Sequence, residues 1–160
     1  MKYRTLGRTG IKVSEIGHGL WGMGDWSDAD QNESLAALSL SESLGCNFFD
    51  SAWAYGDGLS DKLLGELIVK TNKPELVTAG KIPPKNLVWP SSPNDALEDT
   101  FPEDHVIEFT KRSLDTAGID KFALMQYHVW DDSWAANPVF QRTVERLKSE
   151  GLCEGFGISL

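Results

Sequence analysis

The sequence contains little cysteine or histidine and has no long apolar run. Its two cysteines, Cys46 and Cys153, match neither a zinc knuckle nor a C-x-x-C redox pair. The three histidines are scattered at positions 18, 105 and 128, which argues against a structural zinc site. The first residues do not resemble a signal peptide and no segment is apolar enough to span a membrane. We therefore expect a cytoplasmic protein with no membrane partner.

Basic residues are also scarce. The chain has 15 lysines and arginines against 24 aspartates and glutamates, which gives a formal net charge of -9. No basic cluster is longer than Lys111-Arg112, and an acidic surface repels a phosphate backbone. These features exclude a nucleic-acid partner, although a locally positive pocket remains compatible with a small anionic cofactor.

The 160 residues suffice for one domain with a packed core. A hairpin is predicted over residues 2–13, around a Gly-Arg-Thr-Gly turn, and strands and helices alternate after it. The helices are predicted to start at Asp30, at Ser60, at Pro102 with a stop at Gly118, and at Asn137-Pro138 with a stop at Gly151. The strands are predicted over residues 15–19, 47–50, 75–79, 122–127 and 155–159.

These strands recur roughly every 30 residues, the size of a βα unit, which predicts a parallel sheet. Five such strands fit either a small doubly wound sheet or the first half of an eight-stranded barrel, which typically needs about 250 residues. The chain ends directly after the fifth strand, so that strand lacks a covering helix. The Pro- and Ser-rich loop after the third strand, residues 82–101, is long enough to be functional or disordered.

The segment Gly17 to Gly22, GHGLWG, fits the G-x-G-x-x-G pattern of a dinucleotide-binding turn. A Rossmann domain would open a helix at Gly22, yet glycine, tryptophan and turn formers follow at residues 23–28. The next acid after a strand, Asp50, comes 28 residues after Gly22 instead of about 20. The sequence therefore disfavours the Rossmann alternative.

Four reactive side chains follow the carboxyl ends of successive predicted strands, where parallel α/β folds build their sites. They are Asp50 and Tyr55 after the second strand, Lys81 after the third and His128 after the fourth. An ammonium group near a phenol favours the phenolate and makes it a better general acid. We expect Asp50 to hold Lys81, and His128 to orient a carbonyl oxygen. This set suits the reduction of a carbonyl by hydride from a nicotinamide, with a proton from Tyr55.

Several motifs occur together and in order: YRTLGRTG, KVSEIGHGLWGMG, FFDSAWAYGDGLSDKLLGELI, TAGK and QYH. With them the chain resembles the aldo-keto reductases from Lys2 to Ser159. The resemblance implies a (β/α)8 TIM-type barrel, NADPH as cofactor and an aldehyde or ketone as the small-molecule substrate. It also implies that Asp50, Tyr55, Lys81 and His128 form the catalytic tetrad, with Tyr55 as the proton donor.

The same resemblance implies cofactor contacts. Gly19 to Met23 becomes the first strand–helix loop beside the nicotinamide, where glycines allow close backbone approach. The implied contact residues are Trp21, Gly22, Met23, Asp50 and Ser159. Leu160 stands where the family usually has an asparagine, and the last three strands, which grip the adenine and the 2′-phosphate, are missing. Residues 1–160 then form a single incomplete domain, the N-terminal half of a barrel with about five strands and four helices.

Two further expectations concern the surface. Four of the six tryptophans follow the first four strands, so they either pack the loops or form an aromatic pocket for an apolar or planar carbonyl substrate: Trp21, Trp53, Trp89 and Trp130. A half barrel also exposes apolar sheet edges, which favours self-association. The alternative to an enzyme is a non-catalytic, reductase-like binding or regulatory module.

Overall fold

The computed structural model describes residues 1–24, 28–73 and 75–160. Residues 25–27, part of the predicted run of turn formers after Gly22, lie outside these described residues. The predicted N-terminal hairpin is confirmed: β1 (Tyr3–Thr5) pairs antiparallel with β2 (Lys12–Ser14). The hairpin reaches the main sheet, because the Asn47 side chain accepts from the Ser14 backbone N–H and donates to the Lys12 carbonyl.

The main sheet is parallel and has five strands in chain order: β3 (His18–Gly19), β4 (Phe48–Asp50), β5 (Val77–Ile82), β6 (Phe122–Tyr127) and β7 (Cys153–Ile158). In register, Gly19 pairs with Asp50, and Lys81 pairs with Gln126. A doubly wound sheet reverses its strand order at a switch point. This order never reverses, as expected for consecutive strands of a (β/α)8 barrel.

The Rossmann alternative is wrong for a second reason. After β3 the chain forms a short 3-10 turn, Trp21–Met23, and no α-helix opens at Gly22. The Leu20 backbone N–H donates to the Asp50 carbonyl at 2.9 Å, which holds the start of this loop against the end of β4. The first strand of the main sheet, β3, is shorter than predicted: it has two residues, whereas the prediction covered residues 15–19.

The part of the chain that the structure describes has five α-helices between the strands of the main sheet, two of them between β5 and β6: α1 (Gln31–Ser43), α2 (Leu59–Thr71), α3 (Leu97–Thr100), α4 (Glu103–Ala117) and α5 (Pro138–Ser149). Asp30 caps α1 as predicted, accepting from the backbone N–H groups of residues 32 and 33. Asn137 caps α5, and Gly118 ends α4 in the left-handed conformation. The short helix α3 lies in the long loop after β5 and was not predicted.

One predicted cap is wrong. The helix α2 begins at Leu59 with Gly58 as its N-cap, at a φ of 95°, so Ser60 lies inside the first turn. The Ser60 hydroxyl donates instead to the Ala52 carbonyl, at 2.9 Å. Glycine suits position 58 because the backbone φ there is positive and because a Cβ would lie 2.9 Å from the Trp53 ring.

The two faces of the main sheet have different surroundings because side chains alternate along each strand. The helices cover the face that carries Phe49, Ile82, Met125 and Tyr127, all almost fully buried. At its centre the Phe101 and Tyr127 rings stack with centroids 4.0 Å apart. Asp50, Lys81 and Gln126 lie on the opposite face, and most of the apolar core is on the helix side. Among the described residues, no helix is both long and apolar enough to cross a membrane.

Candidate active site

The carboxyl edge of the main sheet brings together the four side chains that the sequence singled out. Asp50 is the last residue of β4, Lys81 is on β5, and His128 directly follows β6. Tyr55 lies in the tight loop between β4 and α2. Because the strands are parallel and adjacent, their ends meet at one edge, and side chains distant in sequence become neighbours.

The Lys81 ammonium group is the most buried member of the set, with 5% of its side chain exposed. Its Nζ donates to Asp50 Oδ2 at 2.6 Å and to the Ser51 carbonyl at 3.0 Å. It also lies 4.9 Å from the centroid of the Tyr55 ring. A buried ammonium needs an anion and hydrogen-bond acceptors to offset its lost hydration, and Asp50 and Ser51 supply them.

Gln126 belongs to the same cluster, although sequence analysis did not identify it. Its Nε2 donates to Asp50 Oδ1 at 3.3 Å, and the residue pairs in register with Lys81. Asp50 therefore receives one hydrogen bond from Lys81 and another from Gln126. The available signal was the spacing: Gln126 precedes His128 by two residues, the spacing at which side chains of an extended chain lie on the same face.

His128 lies among aromatic rings. Its ring packs edge-to-face against Tyr55, with centroids 5.4 Å apart, and against Trp89, at 4.6 Å. Burial, and secondarily the nearby Lys81 ammonium, lower the pKa of His128 to about 4. The Nδ1 atom is buried and has no hydrogen-bond partner among the described residues. The imidazole is therefore neutral at physiological pH and carries one N–H donor.

The expected cofactor-contact residues lie at the same edge. Trp21 and Gly22 are exposed and Met23 is half-buried, all in the 3-10 turn after β3. Gly22 has no side chain, so a ligand can approach its backbone closely. Ser159 is half-buried just after β7, and its backbone N–H donates to the Tyr127 carbonyl at 2.9 Å. These residues leave an open shelf on which a flat ring could lie against the backbone.

An aromatic pocket of about 420 Å³ opens beside His128. Trp89 and Trp130 form its walls, and Ser159 also lines it. The Ser91 hydroxyl donates to the Trp130 carbonyl and so ties the two wall loops together. Trp53 has a different role, because its ring packs on Phe109 and under the Arg112 guanidinium, 4.5 Å away. The predicted tryptophan pocket thus contains two of the four tryptophans, and Trp53 is a packing residue.

A second polar cluster lies behind Lys81 and was also missed from the sequence. Asp61 in the first turn of α2 is completely buried, and its Oδ1 lies 2.5 Å from the Ser51 hydroxyl oxygen. Burial raises the pKa of Asp61 to about 6, although the Ser51 and Ser113 hydroxyls and the Lys81 ammonium oppose the shift. In the sequence, Asp61 resembles an ordinary acid in a first helical turn, so no local pattern marks it as buried.

In the part of the chain that the structure describes, no cluster of three histidine, cysteine, aspartate or glutamate residues could hold a metal ion. Cys46 and Cys153 are both buried and are not bonded to each other. Burial raises the pKa of the Cys153 thiol to about 11, so it is not a nucleophile at neutral pH.

Comparison with known proteins agrees with the resemblance that the sequence motifs indicate. The model of the aldo/keto reductase family matches residues 15–160. The chain is 27% identical to the aldo-keto reductase YhdN of Bacillus subtilis over 162 aligned positions, which cover 99% of this chain and 47% of that protein. It is 29% identical to an Arabidopsis thaliana protein named as a probable voltage-gated potassium channel β subunit, over 83% of this chain and 39% of that protein.

Among solved structures, the holo form of an aldo-keto reductase from Bacillus halodurans superposes with a TM-score of 0.79 at 25% identity. That match covers 99% of this chain and 50% of the other. The chain thus spans less than half the length of the two curated relatives and half of this solved structure.

Proposed function

The chain belongs to the aldo/keto reductase family, and from that premise we propose that it reduces an aldehyde or a ketone to an alcohol with NADPH. We further propose that Asp50, Tyr55, Lys81 and His128 are its catalytic residues. The observation that carries this proposal is the contact of all four at one sheet edge. Lys81 bonds to Asp50 at 2.6 Å and approaches the Tyr55 ring, which packs against His128.

In this proposal, Tyr55 gives its hydroxyl proton to the carbonyl oxygen as that oxygen gains negative charge. The Lys81 ammonium stabilises the charge that develops on the phenol oxygen. At about 4 Å and an effective dielectric constant of about 20, such a charge is worth about 4 kcal/mol. Asp50 and the Ser51 carbonyl keep the ammonium in place.

His128 orients the carbonyl and does not protonate it. Its low pKa keeps the ring neutral above about pH 4, so a hydrogen bond from the imidazole to the substrate oxygen transfers no net charge. The edge-to-face contact between Tyr55 and His128 supports this role, because the phenol and the imidazole can then both reach one carbonyl oxygen. Two donors converging on one oxygen would select the geometry in which the carbonyl carbon faces the cofactor.

The shelf formed by Trp21, Gly22 and Met23 suits a nicotinamide ring, because Gly22 is exposed and has no side chain. Asp50 and Ser159 border the same edge and are the other proposed cofactor contacts. NADPH, when bound, supplies the hydride. The aromatic pocket between Trp89 and Trp130 favours a planar or apolar carbonyl substrate. We also propose that the protein is cytoplasmic and that residues 1–160 form a single incomplete domain. Copies of the chain would associate through the edge strands β3 and β7.

The first experiment is a calorimetric titration of the 160-residue chain with NADPH, followed by turnover measurements on a panel of aldehydes and ketones. Binding at micromolar concentration and reduction of at least one carbonyl, which Tyr55→Phe abolishes, are the expected results. Turnover that Tyr55→Phe leaves intact would refute the role of Tyr55. Failure to bind either NADPH or NADH would refute the reductase proposal for this chain.

The similarity to the plant channel-subunit homologue favours a second candidate, a reductase-like module that binds or regulates a partner without turnover. The contact of the Asp50–Lys81 pair with the Tyr55 ring, and of that ring with His128, favours the reductase over this module. The same titration separates the two candidates. Cofactor binding without reduction of any carbonyl on the panel would favour the binding module.

A further inference from the structure

Behind the proposed active site, three short oxygen–oxygen contacts form a chain from Asp61 to a backbone carbonyl. Asp61 Oδ1 lies 2.5 Å from Ser51 Oγ, which lies 2.7 Å from Ser60 Oγ, which lies 2.9 Å from the Ala52 oxygen. All three side chains are completely buried. Each contact joins two oxygen atoms, so the proton of each contact must come from one of the two groups that make it.

Counting protons shows which form of Asp61 this chain requires. Each of the three contacts needs one proton, yet the two serine hydroxyls carry only two, and the Ala52 carbonyl only accepts. With an ionised Asp61, both hydroxyl protons go to the ends of the chain. The Ser51 and Ser60 oxygens would then face each other without a proton at 2.7 Å. A protonated Asp61 supplies the third proton and satisfies every contact.

The other carboxyl oxygen supports the same form. Asp61 Oδ2 is buried and has no hydrogen-bond partner among the described residues. An unpaired oxygen that shares a full negative charge is far more costly to bury than an unpaired neutral carbonyl oxygen. Burial raises the pKa of Asp61 to about 6, so the neutral form predominates below about pH 6.

Ser51 connects these hydrogen-bonded side chains to the proposed catalytic amine of Lys81. Ser51 supplies the hydroxyl that touches Asp61, and its backbone carbonyl accepts from Lys81 Nζ at 3.0 Å. The Ser51 backbone N–H is held by the Ala79 carbonyl at 2.8 Å. With both its side chain and its N–H held, Ser51 has one orientation in which its carbonyl faces the ammonium.

We propose that Asp61 is a positioning residue which, as a neutral carboxylic acid, orders the Ser51–Ser60 hydroxyls and thereby holds the Ser51 carbonyl on the Lys81 ammonium. The inference rests on the proposed function for its effect on catalysis. The groups facing Asp61 are the Ser51 hydroxyl from the β4–α2 loop, the Ser113 hydroxyl from α4 and the Lys81 ammonium from β5. Lys81 is the charged group among them, and its own negative partner is Asp50.

The protonation state is tested by carbon-13 NMR of aspartate carboxyl groups, with Asp61 assigned as the signal absent from Asp61→Asn. We expect an apparent pKa of 6 or higher, and an Asp61 signal that titrates below pH 5 would overturn the proposal. Asp120→Asn is the matched control, because Asp120 is exposed in the turn before β6, at the opposite edge of the sheet. Asp120→Asn should leave the Asp61 signal and its titration unchanged.

The positioning role is tested with variants that keep or break the proton chain. Asp61→Asn retains a donor and an acceptor, so we expect the Lys81 side-chain NMR signals of the wild type. Asp61→Ala breaks the chain, and Ser51→Ala breaks it with a smaller change should the first variant fail to fold. We expect both to shift the Lys81 signals, and unchanged signals in a folded Ala variant would overturn the proposal.

Kinetics add a readout that a purely structural role would not move. We expect Asp61→Ala and Ser51→Ala to lower kcat about tenfold while the substrate KM stays within twofold. The ratio of wild-type kcat to Asp61→Asn kcat should fall as the pH rises through the Asp61 pKa, because only the wild type loses its proton. A ratio independent of pH from 5 to 8 would contradict the proposal. If the wild type reduces no carbonyl, the proposed function fails, whereas the NMR outcomes still decide the role of Asp61.

Discussion

The Tyr55 and His128 rings pack edge-to-face, with centroids 5.4 Å apart and planes at 76°. These residues come from different strand-end loops, and the helices α2, α3 and α4 lie between them in the chain. Because the two rings are in contact, a phenol and a neutral imidazole border the same space at the sheet edge. The Lys81 ammonium lies 4.9 Å from the centroid of the phenol ring. The pair is therefore the part of the edge best placed to receive a carbonyl oxygen.

Replacing Tyr55 with phenylalanine should remove the proposed proton donor and leave the ring packing intact. General acid catalysis typically contributes about 10²–10⁴-fold, so we expect kcat to fall by that range. The dissociation constant for NADPH should stay within about threefold, because the hydroxyl acts on the substrate. Steady-state kinetics and calorimetry measure the two quantities, and a variant retaining more than a tenth of the wild-type kcat would contradict the assignment.

His128 should make the fold less stable in acid. Its folded pKa of about 4 lies below the ordinary value of 6.5, so the unfolded chain takes up a proton first as the pH falls. The stability contributed by His128 is complete above about pH 6.5 and is lost progressively toward pH 4. Because the ring is partly exposed, we expect a loss of at most about 2 kcal/mol.

The measurement is urea unfolding of the wild type and of His128→Gln at pH 4, 7 and 8.5. The difference between the two proteins isolates this histidine from the other titrating groups. It should change between pH 7 and pH 4 and stay constant between pH 7 and pH 8.5. A difference independent of pH in the acid range would show that the His128 pKa is not lowered by folding.

Trp89 should determine the preference for planar substrates. Its ring packs against His128 at 4.6 Å and forms one wall of the aromatic pocket. Aromatic pairs contribute about 0.5–1.5 kcal/mol beyond area burial, so Trp89→Ala should raise KM for an aromatic aldehyde about tenfold. A small aliphatic aldehyde should change less than threefold, and Trp89→Phe should restore most of the difference. An equal loss for both substrates would count against a substrate contact.

Gly65 should not tolerate a side chain although it lies inside helix α2. A Cβ there would stand 2.1 Å from the Ala117 carbonyl oxygen on α4, which is a backbone atom that cannot move aside. Alanine gains about 1 kcal/mol in helix propensity, yet overpacking typically costs about 1–3 kcal/mol and here involves backbone. We expect Gly65→Ala to lower the unfolding free energy by about 2 kcal/mol in denaturant titrations.

Gly19→Ala is the matched control, because among the described residues no atom beyond its chain neighbours lies within 4 Å of the corresponding Cβ position at the exposed end of β3. Its unfolding free energy should stay within about 0.5 kcal/mol of the wild type. Equal stability of both variants would show that α2 and α4 can separate without cost at this contact.

Local signals predicted most of the secondary structure. The bounds of β6 agree with the prediction to the residue, and the caps of α1 and α5 are the predicted Asp30 and Asn137. Ser60 was mistaken for a cap because serine suits that position locally. In the structure the Ser60 hydroxyl donates a hydrogen bond to the Ala52 backbone carbonyl. No local sequence pattern reveals this contact.

The amino-acid sequence by itself determined the alternation of strands and helices, and it put Asp50, Tyr55, Lys81 and His128 at strand ends. Periodicity and capping are local, so they can be read without coordinates. Only the tertiary structure decided that Gln126 reaches Asp50, that Trp53 packs on Arg112 and that Asp61 is buried behind Lys81. Burial and the pKa shifts that follow from it depend on which elements pack together, and that choice is made by the whole chain.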